Sequence, residues 1–363
     1  MLSNINSQRK RLVVFNLATD LDNYLLSHAH DWVNEFSYHF ETVEVISTHT
    51  GRVVLGENVE LFELGGGSTA KRIRALSRLF PHFCRILRNR NQTVVFHHMS
   101  SMTLALLGWP LRLIGVPQGV WYAHSKVDPY LKIGINSSQM IFTPHKSALN
   151  LPKKHTIIAT GHGVKFPPKP RLHISNKKRH SVDFLKISVL GRVSRVKRIE
   201  LLIGSIEELR KERDVRLEVD IVGPIQDQPY FIEIMDYAER SKTKVNYLGV
   251  KVNEDLEQYL IRSSDLMYNG MQGSIDKAPL LAASLGVPVV TTNLGLQSLT
   301  GMTRVLKTSF ERRDLRKQIE HLVNLPAREL LELRECIMAE VRRNNDIEET
   351  IKVISNHLKK WPN

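Results

Sequence analysis

Short apolar runs, rich in β-branched residues, alternate along the chain with longer stretches of helical periodicity. Runs of this length are typical of buried strands, and their alternation with helices is typical of parallel α/β layers. Strands are predicted at residues 11–17, 43–48, 59–64, 93–99, 119–124, 139–144 and 155–161, and in the second half at 184–193, 216–223, 244–249, 265–270 and 287–293. Helices are predicted around residues 24–40, 70–88, 198–213, 230–241 and 253–262, within 273–290, and over 312–360.

The alternation is interrupted once, at residues 165–182, where prolines and basic residues without periodicity indicate a linker. A chain of 363 residues is long enough for two domains. The fold class is therefore predicted as α/β, with two Rossmann-like α/β/α domains facing a central cleft, where ligands usually bind. The boundaries follow: an N-terminal domain at 1–167, a linker at 168–182, a C-terminal domain at 183–345, and a C-terminal helix at 346–363 that packs on the first domain.

Composition indicates an ordinary globular protein, with 42% hydrophobic and 24% charged residues. The two cysteines, Cys84 and Cys336, are too few for a disulfide framework and too far apart for a zinc site. No run approaches the roughly 18 uninterrupted apolar residues of a membrane span, and the polar first ten residues do not resemble a signal peptide. We therefore expect a cytoplasmic location.

The formal net charge of +14 indicates attraction to anionic partners. The basic residues are dispersed and are not interleaved with stacking aromatics, so no nucleic-acid partner is expected. Two interpretations stay open. One is a solvated basic surface, and the other is attraction to an anionic membrane face, because Arg72, Arg74, Arg78 and Arg85 fit one face of an amphipathic helix.

The segment VLGRVSRVKR, residues 189–198, places cations where a strand meets a helix. The strand is predicted to end at Gly191, and Arg192 and Lys197, together with Arg195 and Arg198, lie at the entrance to the helix. Positive charge at a helix N-terminus opposes the macrodipole, and a bound diphosphate would remove that conflict. The segment therefore predicts a phosphate site, against the alternative of a solvated charged loop.

Two further segments have glycines at a predicted strand end. In residues 273–290, Gly273 and Ser274 form a tight turn, Asp276 is an acceptable N-cap, and Lys277 opens an apolar helix. This arrangement predicts an anion or sugar site, although a purely structural turn and helix explain most of it. In TGHGV, residues 160–164, the glycines allow close approach of a ligand to the backbone, and a turn at the domain boundary explains them almost as well.

Histidines occur at two predicted strand ends of the first half. His97 and His98 follow the apolar run of residues 93–96, and His124 is predicted to end the strand 119–124. In a parallel sheet both strand ends lie on the ligand-binding side. No carboxylate or cysteine accompanies these histidines at ligand spacing, so no metal site is expected.

In order and spacing, these motifs resemble the nucleotide-sugar domain of the GT-B retaining glycosyltransferases of family four, also called group 1. The matching motifs are LGRVSRVKR, DIVGP, NYLGV, SSDLMYNG and LLAASLGVPVV. In the first half and the donor loop, WYAHSKV, TGHGV and GSIDK are similar to a bacterial branch of surface-polysaccharide transferases.

The resemblance implies roles by position. Arg192 and Lys197 would neutralise the donor diphosphate, His124 would lie beside the donor sugar, and Asp276 would stand where sugar and phosphate meet. His98 and Asp20 would lie on the acceptor side. The remaining donor-binding positions are Gly163, Gly191, Gly223, Gly249, Gln272, Gly273, Ser274, Lys277 and Leu281.

The sequence departs from the family at three places. The family commonly has two glutamates eight positions apart; the first falls near Gln272 or Gly273, and the second falls at Leu281, so the carboxylate that usually holds the ribose hydroxyls is absent. Arg198 occupies the usual glycine after Lys197.

The expected function is transfer of a sugar from a nucleoside-diphosphate sugar to a hydroxyl acceptor, a saccharide or lipid-linked saccharide of cell-surface polysaccharide synthesis. Retention of configuration is implied by the resemblance, and no metal ion or cofactor is expected. The basic first domain is expected to rest on the inner face of an anionic membrane. Two alternatives stay open: a non-catalytic binding subunit, because of Leu281, and a nucleotide-sugar epimerase.

Overall fold

The computed structural model describes residues 10–23, 26–65, 69–124, 126–149, 151, 155–172, 183–251, 253–271, 277–293, 296, 306–307, 309 and 311–360. The chain divides into two compact units. Unit 1 comprises Met1–Lys165 and Asp346–Asn363, and unit 2 comprises Phe166–Asn345. Within the described residues, no helix is long and apolar enough to cross a lipid bilayer.

Unit 1 is built on a parallel sheet of seven strands in the order β3-β2-β1-β4-β5-β6-β7. The chain builds β1, β2 and β3 to one side, and then returns so that β4 pairs with the other edge of β1. Between β1 and β4 the strand order reverses, which is where open α/β sheets bind ligands. The strands are β1 (Arg11–Thr19), β2 (Thr42–Thr50), β3 (Val59–Glu63), β4 (Thr93–His98), β5 (Gln118–Trp121), β6 (Met140–Thr143) and β7 (Ile157–Ala159).

Helices cover both faces of this sheet. Alternate residues of β1 supply the two cores: Leu12 and Val14 face one cluster, and Val13 and Phe15 face the other. The first cluster includes Trp32 and the second includes residues of two later helices. The helices are α1 (His28–Ser37) on the first face, and α2 (Thr69–Arg88), α3 (Ser101–Leu113) and α4 (Pro129–Gly134) on the second.

Unit 2 repeats the architecture with a parallel sheet of six strands in the order β10-β9-β8-β11-β12-β13. Here β8 is flanked by β9 and β11, so the reversal of strand order lies between β8 and β11. The strands are β8 (Asp183–Leu190), β9 (Val215–Val222), β10 (Lys244–Tyr247), β11 (Leu266–Asn269), β12 (Val289–Thr291) and β13 (Leu306–Lys307). The helices are α5 (Ile199–Glu212), α6 (Gln228–Arg240), α7 (Asn253–Ser263), α8 (Lys277–Ser284), α9 (Arg312–Asn324) and α10 (Ala327–Asn345).

The last helix, α11 (Ile347–Lys359), completes the core of unit 1. Asp346 caps its N-terminus by accepting a hydrogen bond from the Glu348 N–H at 2.9 Å. Its buried positions 347, 351, 354 and 358 follow helical spacing and join the cluster that contains Trp32.

The sequence-based α/β prediction is confirmed, with twelve predicted strands present at shifted ends. Four elements differ from the prediction. The strand predicted at 119–124 ends at Trp121, and helix α3, helix α4 and strand β13 were not predicted. Both faces of α3 carry apolar residues, as in SMTLALLGWPLRL, which hides the helical period on which the prediction depended.

Candidate functional site

Four glycine-containing loops follow the strands of unit 2 at the carboxyl edge of its sheet. Gly191 follows β8, Gly223 follows β9, Gly249 comes two residues after β10, and Gly270 follows β11. The Gly191 N–H donates to the Val222 carbonyl at 2.9 Å, and the Gly223 N–H donates to the Gly249 carbonyl at 2.8 Å. The structure therefore brings three of the predicted donor-binding glycines together at one end of the sheet.

Gly223 shows why glycine is required there. Its φ is +145°, and a Cβ at this position would overlap the backbone carbonyl of Gly191. Any side chain at residue 223 would push the two loops apart. The carboxyl edge consequently presents bare backbone, which a ligand can approach closely.

The four cations of residues 192–198 have different environments. Arg195 forms ion pairs with acids of the α6 region: its guanidinium lies 2.7 Å from Glu233 and 3.9 Å from Asp227. Lys197 is only 5% exposed and lies in a short 3-10 helix of residues 195–197. Arg192 is exposed, and none of the residues that the structure describes forms an ion pair with it. Of the two predicted diphosphate ligands, Arg192 is thus the one presented to solvent next to the β8–β11 reversal.

Arg198 stands where the resembling family has glycine, and its backbone explains that preference. Its φ of +48° and ψ of +49° lie in the left-handed region, which glycine adopts without the cost borne by other residues. The turn is held from both sides: the Tyr230 hydroxyl accepts from the Ile199 N–H at 2.8 Å, and the Tyr268 hydroxyl donates to the Arg198 carbonyl at 3.1 Å. The chain at the entrance to α5 is therefore fixed by two buried tyrosines.

The Tyr230 hydroxyl is itself oriented by an acid. It donates to Glu200 Oε2 at 2.5 Å, so that it can accept from Ile199. Burial and the neighbouring Glu200 carboxylate raise the pKa of Tyr230 well above its ordinary value, and burial does the same to the pKa of Tyr268. Both hydroxyls stay protonated and act here as hydrogen-bonding groups.

Helix α8 crosses from β11 to β12, so its N-terminus lies at the same sheet edge as the glycine loops. The helix begins at Lys277, and Leu281 is half-buried in its middle. A free helix N-terminus carries partial positive charge and suits an anion. Four predicted site residues just before it, Gln272, Gly273, Ser274 and Asp276, lie outside the described residues.

The C-terminal end of α8 is held to α10 by hydrogen bonds from two arginines. The Val287 N–H donates to the Ala282 carbonyl at 3.0 Å and the Gly286 N–H to the Ala283 carbonyl at 2.9 Å, which is a Schellman ending with Gly286 at φ +76°. Arg342 Nε donates to the Ser284 carbonyl at 3.0 Å and Arg334 Nε to the Gly286 carbonyl at 2.8 Å. Two cations at the negative end of the dipole hold α8 in place.

In unit 1, His98 ends β4 beside the reversal point of the sheet. Its Nδ1 lies 3.1 Å from Asn16 Oδ1, and the Asn16 amide donates to the Thr19 hydroxyl at 3.3 Å. The Thr19 hydroxyl is in turn 2.5 Å from the Ser47 hydroxyl. Since the Asn16 oxygen can only accept, this chain of bonds places a proton on Nδ1 of His98 and fixes the ring.

The adjacent His97 points to the opposite face and has a structural environment. Its Nδ1 contacts the Thr103 hydroxyl at 2.9 Å, and its ring stacks on Phe15. Burial lowers the pKa of His97 to about 4. His97 is therefore a neutral ring packed in the core. Its environment differs from that of His98, although the two residues are neighbours in sequence.

His124 and Asp20 are placed differently from each other. His124 was predicted to end a strand, but the chain leaves the sheet at Trp121. His124 therefore lies three residues beyond β5, and its side chain is exposed. Asp20 follows β1 directly, where its Oδ1 accepts from the backbone N–H groups of Asp22 at 3.0 Å and Arg52 at 3.1 Å. That carboxylate therefore orders the loop after β1.

Gly163, at the end of the segment TGHGV, lies against Trp32. Its φ is +59°, and a Cβ would lie 2.5 Å from Trp32 Cζ2. The indole N–H of Trp32 donates to the Gly163 carbonyl at 2.8 Å. The sequence did not identify Trp32 as a site residue. Its place on the apolar face of α1, with Val33 and Phe36, indicates only that the side chain is buried.

Within the described ranges, no group of three His, Cys, Asp or Glu side chains is arranged to hold a metal ion. Arginine, lysine and the helix N-terminus are the groups of unit 2 that suit an anionic ligand. Such an arrangement can neutralise a phosphate and hold it in place.

Residues 185–324, the greater part of unit 2, match the sequence model of the family described as Glycosyl transferases group 1. No curated protein sequence matches the chain. The family match covers the strands and loops that carry Gly191, Arg192, Lys197, Gly223 and Gly249.

Solved structures are similar to nearly the whole chain. HepE of Anabaena, solved with UDP and glucose, is 14% identical, with 98% of this chain and 100% of that chain covered and a TM-score of 0.64. The lipopolysaccharide outer core galactosyltransferase WaaB is 11% identical, with 97% and 100% covered and a TM-score of 0.69. A glycosyltransferase from Rickettsia africae is 14% identical, with 97% and 98% covered and a TM-score of 0.69. The chain therefore has the GT-B fold, and the family match supports a GT-B glycosyltransferase.

Proposed function

We propose that this protein transfers a glycosyl unit from a nucleoside-diphosphate sugar to a hydroxyl acceptor, with retention of configuration and without a metal ion. The observation that carries the proposal is the position of Arg192. It is exposed beside the β8–β11 reversal, in a segment that matches the group 1 glycosyl transferases, and no acid among the described residues neutralises it. Retention is supported only by the resemblance of the motifs.

In the proposed donor site, the diphosphate lies at the carboxyl edge of unit 2. During transfer the bond from the anomeric carbon to the diphosphate oxygen breaks, a bond to the acceptor oxygen forms, and the acceptor hydroxyl gives up its proton. The diphosphate then carries one more negative charge. We propose that Arg192, Lys197 and the N-terminus of α8 stabilise this charge, which is the role of a bound cation in other phosphate chemistry.

On the acceptor side we propose His98 as the positioning group, together with His124 and Asp20, which follow other strands of the same sheet. His98 is held by Asn16 and Trp32, so its ring presents a fixed edge near the end of β4. The acceptor we propose is a saccharide or lipid-linked saccharide of surface-polysaccharide synthesis at the inner face of a membrane. The net charge of +14 supports an anionic surface, and the structurally similar WaaB is a lipopolysaccharide outer core galactosyltransferase.

A second candidate is a non-catalytic subunit that retains the fold. It is favoured by Leu281, an apolar residue in the middle of α8 where the resembling family carries a glutamate. A subunit of this kind would bind nucleotide weakly and release no product. The two candidates therefore differ in turnover as well as in binding.

A turnover assay tests the proposal. The protein is incubated with a panel of nucleoside-diphosphate sugars, beginning with uridine and guanosine diphosphate sugars, and free nucleoside diphosphate is measured by ion-exchange chromatography. Transfer or slow hydrolysis releases nucleoside diphosphate, which Arg192→Ala should abolish. A rearranged nucleotide sugar without release would indicate an epimerase, and no change with any donor would favour the non-catalytic subunit.

A further inference from the structure

Helix α3 carries apolar side chains on its solvent side. Met102, Leu106, Trp109 and Leu113 are exposed and are spaced by four, three and four residues, so they share one face. Trp109 is 45% exposed and Leu113 is 84% exposed. The opposite side of α3 is also apolar and packs on the sheet. A helix that is apolar all round is normally covered on both sides.

Helix α4 extends this apolar area. The two helices are in close contact, because a Cβ at Gly134 would lie 2.8 Å from the backbone nitrogen of Ala105. Tyr130 and Ile133 of α4 are exposed, at 51% and 58%. We call this area, formed by Met102, Leu106, Trp109, Leu113, Tyr130 and Ile133, the α3–α4 surface. Single exposed apolar residues are ordinary, but six on two packed helices are not.

The charge around the α3–α4 surface has one sign. From Leu64 to Val127 the sequence contains nine Lys or Arg residues and no Asp or Glu, in a chain with 37 acids among 363 residues. The next acid, Asp128, is turned to the protein: it accepts from the Ser101 hydroxyl at 2.8 Å and from the Leu131 N–H at 2.8 Å. Arg112 in α3, Lys126 just before α4 and Lys132 in α4 are exposed, so the two helices carry positive charge beside their apolar residues.

We propose that the α3–α4 surface docks on the interface of an anionic lipid bilayer. The residue types match that interface: Trp and Tyr prefer the headgroup level, and long basic side chains reach anionic headgroups while their stems stay apolar. Arg112 already lies over the Trp109 ring, 5.9 Å from its centroid, as an amphipathic pair. Binding of this type needs no spanning helix.

The position of this surface within unit 1 fits the proposed acceptor. Helix α3 begins at Ser101, three residues after His98, and α4 begins shortly after β5 and His124. The first residues of both helices thus lie at the carboxyl edge of the sheet, where the acceptor-side histidines are. The link between this surface and a lipid-linked acceptor rests on the proposed function, whereas docking on the bilayer does not.

Two of the four arginines on the α2 face that the sequence suggested are bound by the protein. Arg78 donates to the Leu64 carbonyl at 3.1 Å, and Arg85 pairs with Glu60 at 3.0 Å. Arg72 and Arg74 lie where only the backbone of α2 is described. A second copy of the chain is a poor occupant of the α3–α4 surface as well, because a symmetric contact would bring two acid-free basic segments together.

Vesicle sedimentation tests the proposal without any nucleotide sugar. The full chain is mixed with vesicles of phosphatidylcholine, or of phosphatidylcholine with 30% phosphatidylglycerol. We expect about ten-fold stronger partitioning to the anionic vesicles, and at least a ten-fold loss in Trp109→Ser/Leu113→Ser. The matched control is Tyr38→Ser, at a residue 81% exposed beyond the C-terminal end of α1, which packs on the opposite face of the sheet; it should bind as the wild type does.

Three results would overturn the proposal. They are equal binding of wild type to both vesicle types, unchanged binding of the double variant, and a wild-type dimer that does not bind vesicles and that the double variant dissociates. Quenching of tryptophan emission by brominated lipid, lost in Trp109→Phe, would support it independently. Since the assay contains no donor, a chain that transfers sugar to a soluble acceptor but ignores vesicles contradicts this inference alone.

Discussion

The indole of Trp32 stacks on the imidazole of His98, with ring centroids 4.5 Å apart and planes inclined by 12°. The same indole donates its N–H to the Gly163 carbonyl at 2.8 Å. Residues from the end of β4 and from the loop after β7 therefore meet at one indole of α1. Stacking on one side and the Asn16 bond on Nδ1 leave the ring little freedom to rotate.

The first prediction concerns Gly163. Gly163→Ala should lower the free energy of unfolding by about 2 to 4 kcal/mol, since alanine bears the cost of positive φ and its Cβ also overlaps Trp32. Urea unfolding measures the change. Acceptor KM should rise as well if the shifted indole releases His98.

Gly115 provides a matched control for that substitution. It has φ +77°, and nothing lies within 4 Å of a Cβ placed there. Gly115→Ala should therefore cost only the backbone term, about 1 kcal/mol. Equal losses in the two variants would show that Gly163 is required for its backbone angle and not for its contact with Trp32.

The second prediction concerns the left-handed turn at Arg198. Arg198→Gly should raise the free energy of unfolding by about 0.5 to 1 kcal/mol, because the removed strain of a positive φ exceeds the added chain entropy of glycine. Arg198→Ala removes the same side chain but keeps the strain, so it should bring no gain. A glycine variant less stable than the alanine variant would contradict this explanation.

The third prediction is a pH dependence from His97. The folded chain protonates this residue only near pH 4, whereas in the unfolded chain its pKa is the ordinary 6.5. Between these values the unfolded state binds the extra proton, so the free energy of unfolding falls as pH is lowered, by about 3 kcal/mol in all. His97→Gln should flatten the difference curve from pH 6.5 to 4. Parallel curves for the two proteins would be the opposing result.

The fourth prediction restores the family glutamate. Leu281→Glu should tighten binding of a nucleoside diphosphate about ten-fold, because a carboxylate accepting from ribose hydroxyls is a charge-assisted bond. Leu281→Gln keeps a similar shape without the charge and should change affinity less than three-fold. Calorimetry compares the three proteins. If Glu and Gln behave alike, Leu281 does not lie at the ribose.

The parts of the fold that follow a simple period were predictable from sequence. β-branched runs placed the parallel strands, and the glycines after β8, β9 and β10 marked the carboxyl edge where Gly191, Gly223 and Gly249 meet. Helix α3 was not predictable in this way, because apolar residues on both of its faces erase the period. The apolar residues on the outer face of α3 are the ones that form part of the α3–α4 surface.

The site was predicted only where local sequence carries the chemistry. Arg192 and Lys197 were proposed as site residues from their position after a strand, but sequence could not show that Arg195 pairs with Glu233, which is 38 residues away. Nor could it show that Trp32 supports His98, since that contact joins separate elements. Arg198 was visible as one cation of residues 192–198 and as a departure from glycine, and its backbone angle explains why glycine is usual there.

Nucleotide binding at Arg192 is the central requirement of the proposed donor site. Isothermal titration of the full chain with uridine and guanosine diphosphates tests it, with Arg192→Ala as the probe and Arg240→Ala as the control. Arg240 is an exposed arginine in the last turn of α6, at the opposite edge of the same sheet. We expect the wild type and Arg240→Ala to bind one of the nucleotides alike, and Arg192→Ala to bind it at least ten-fold more weakly. Absence of binding to either nucleotide, or equal affinity in all three proteins, would contradict the proposed donor site.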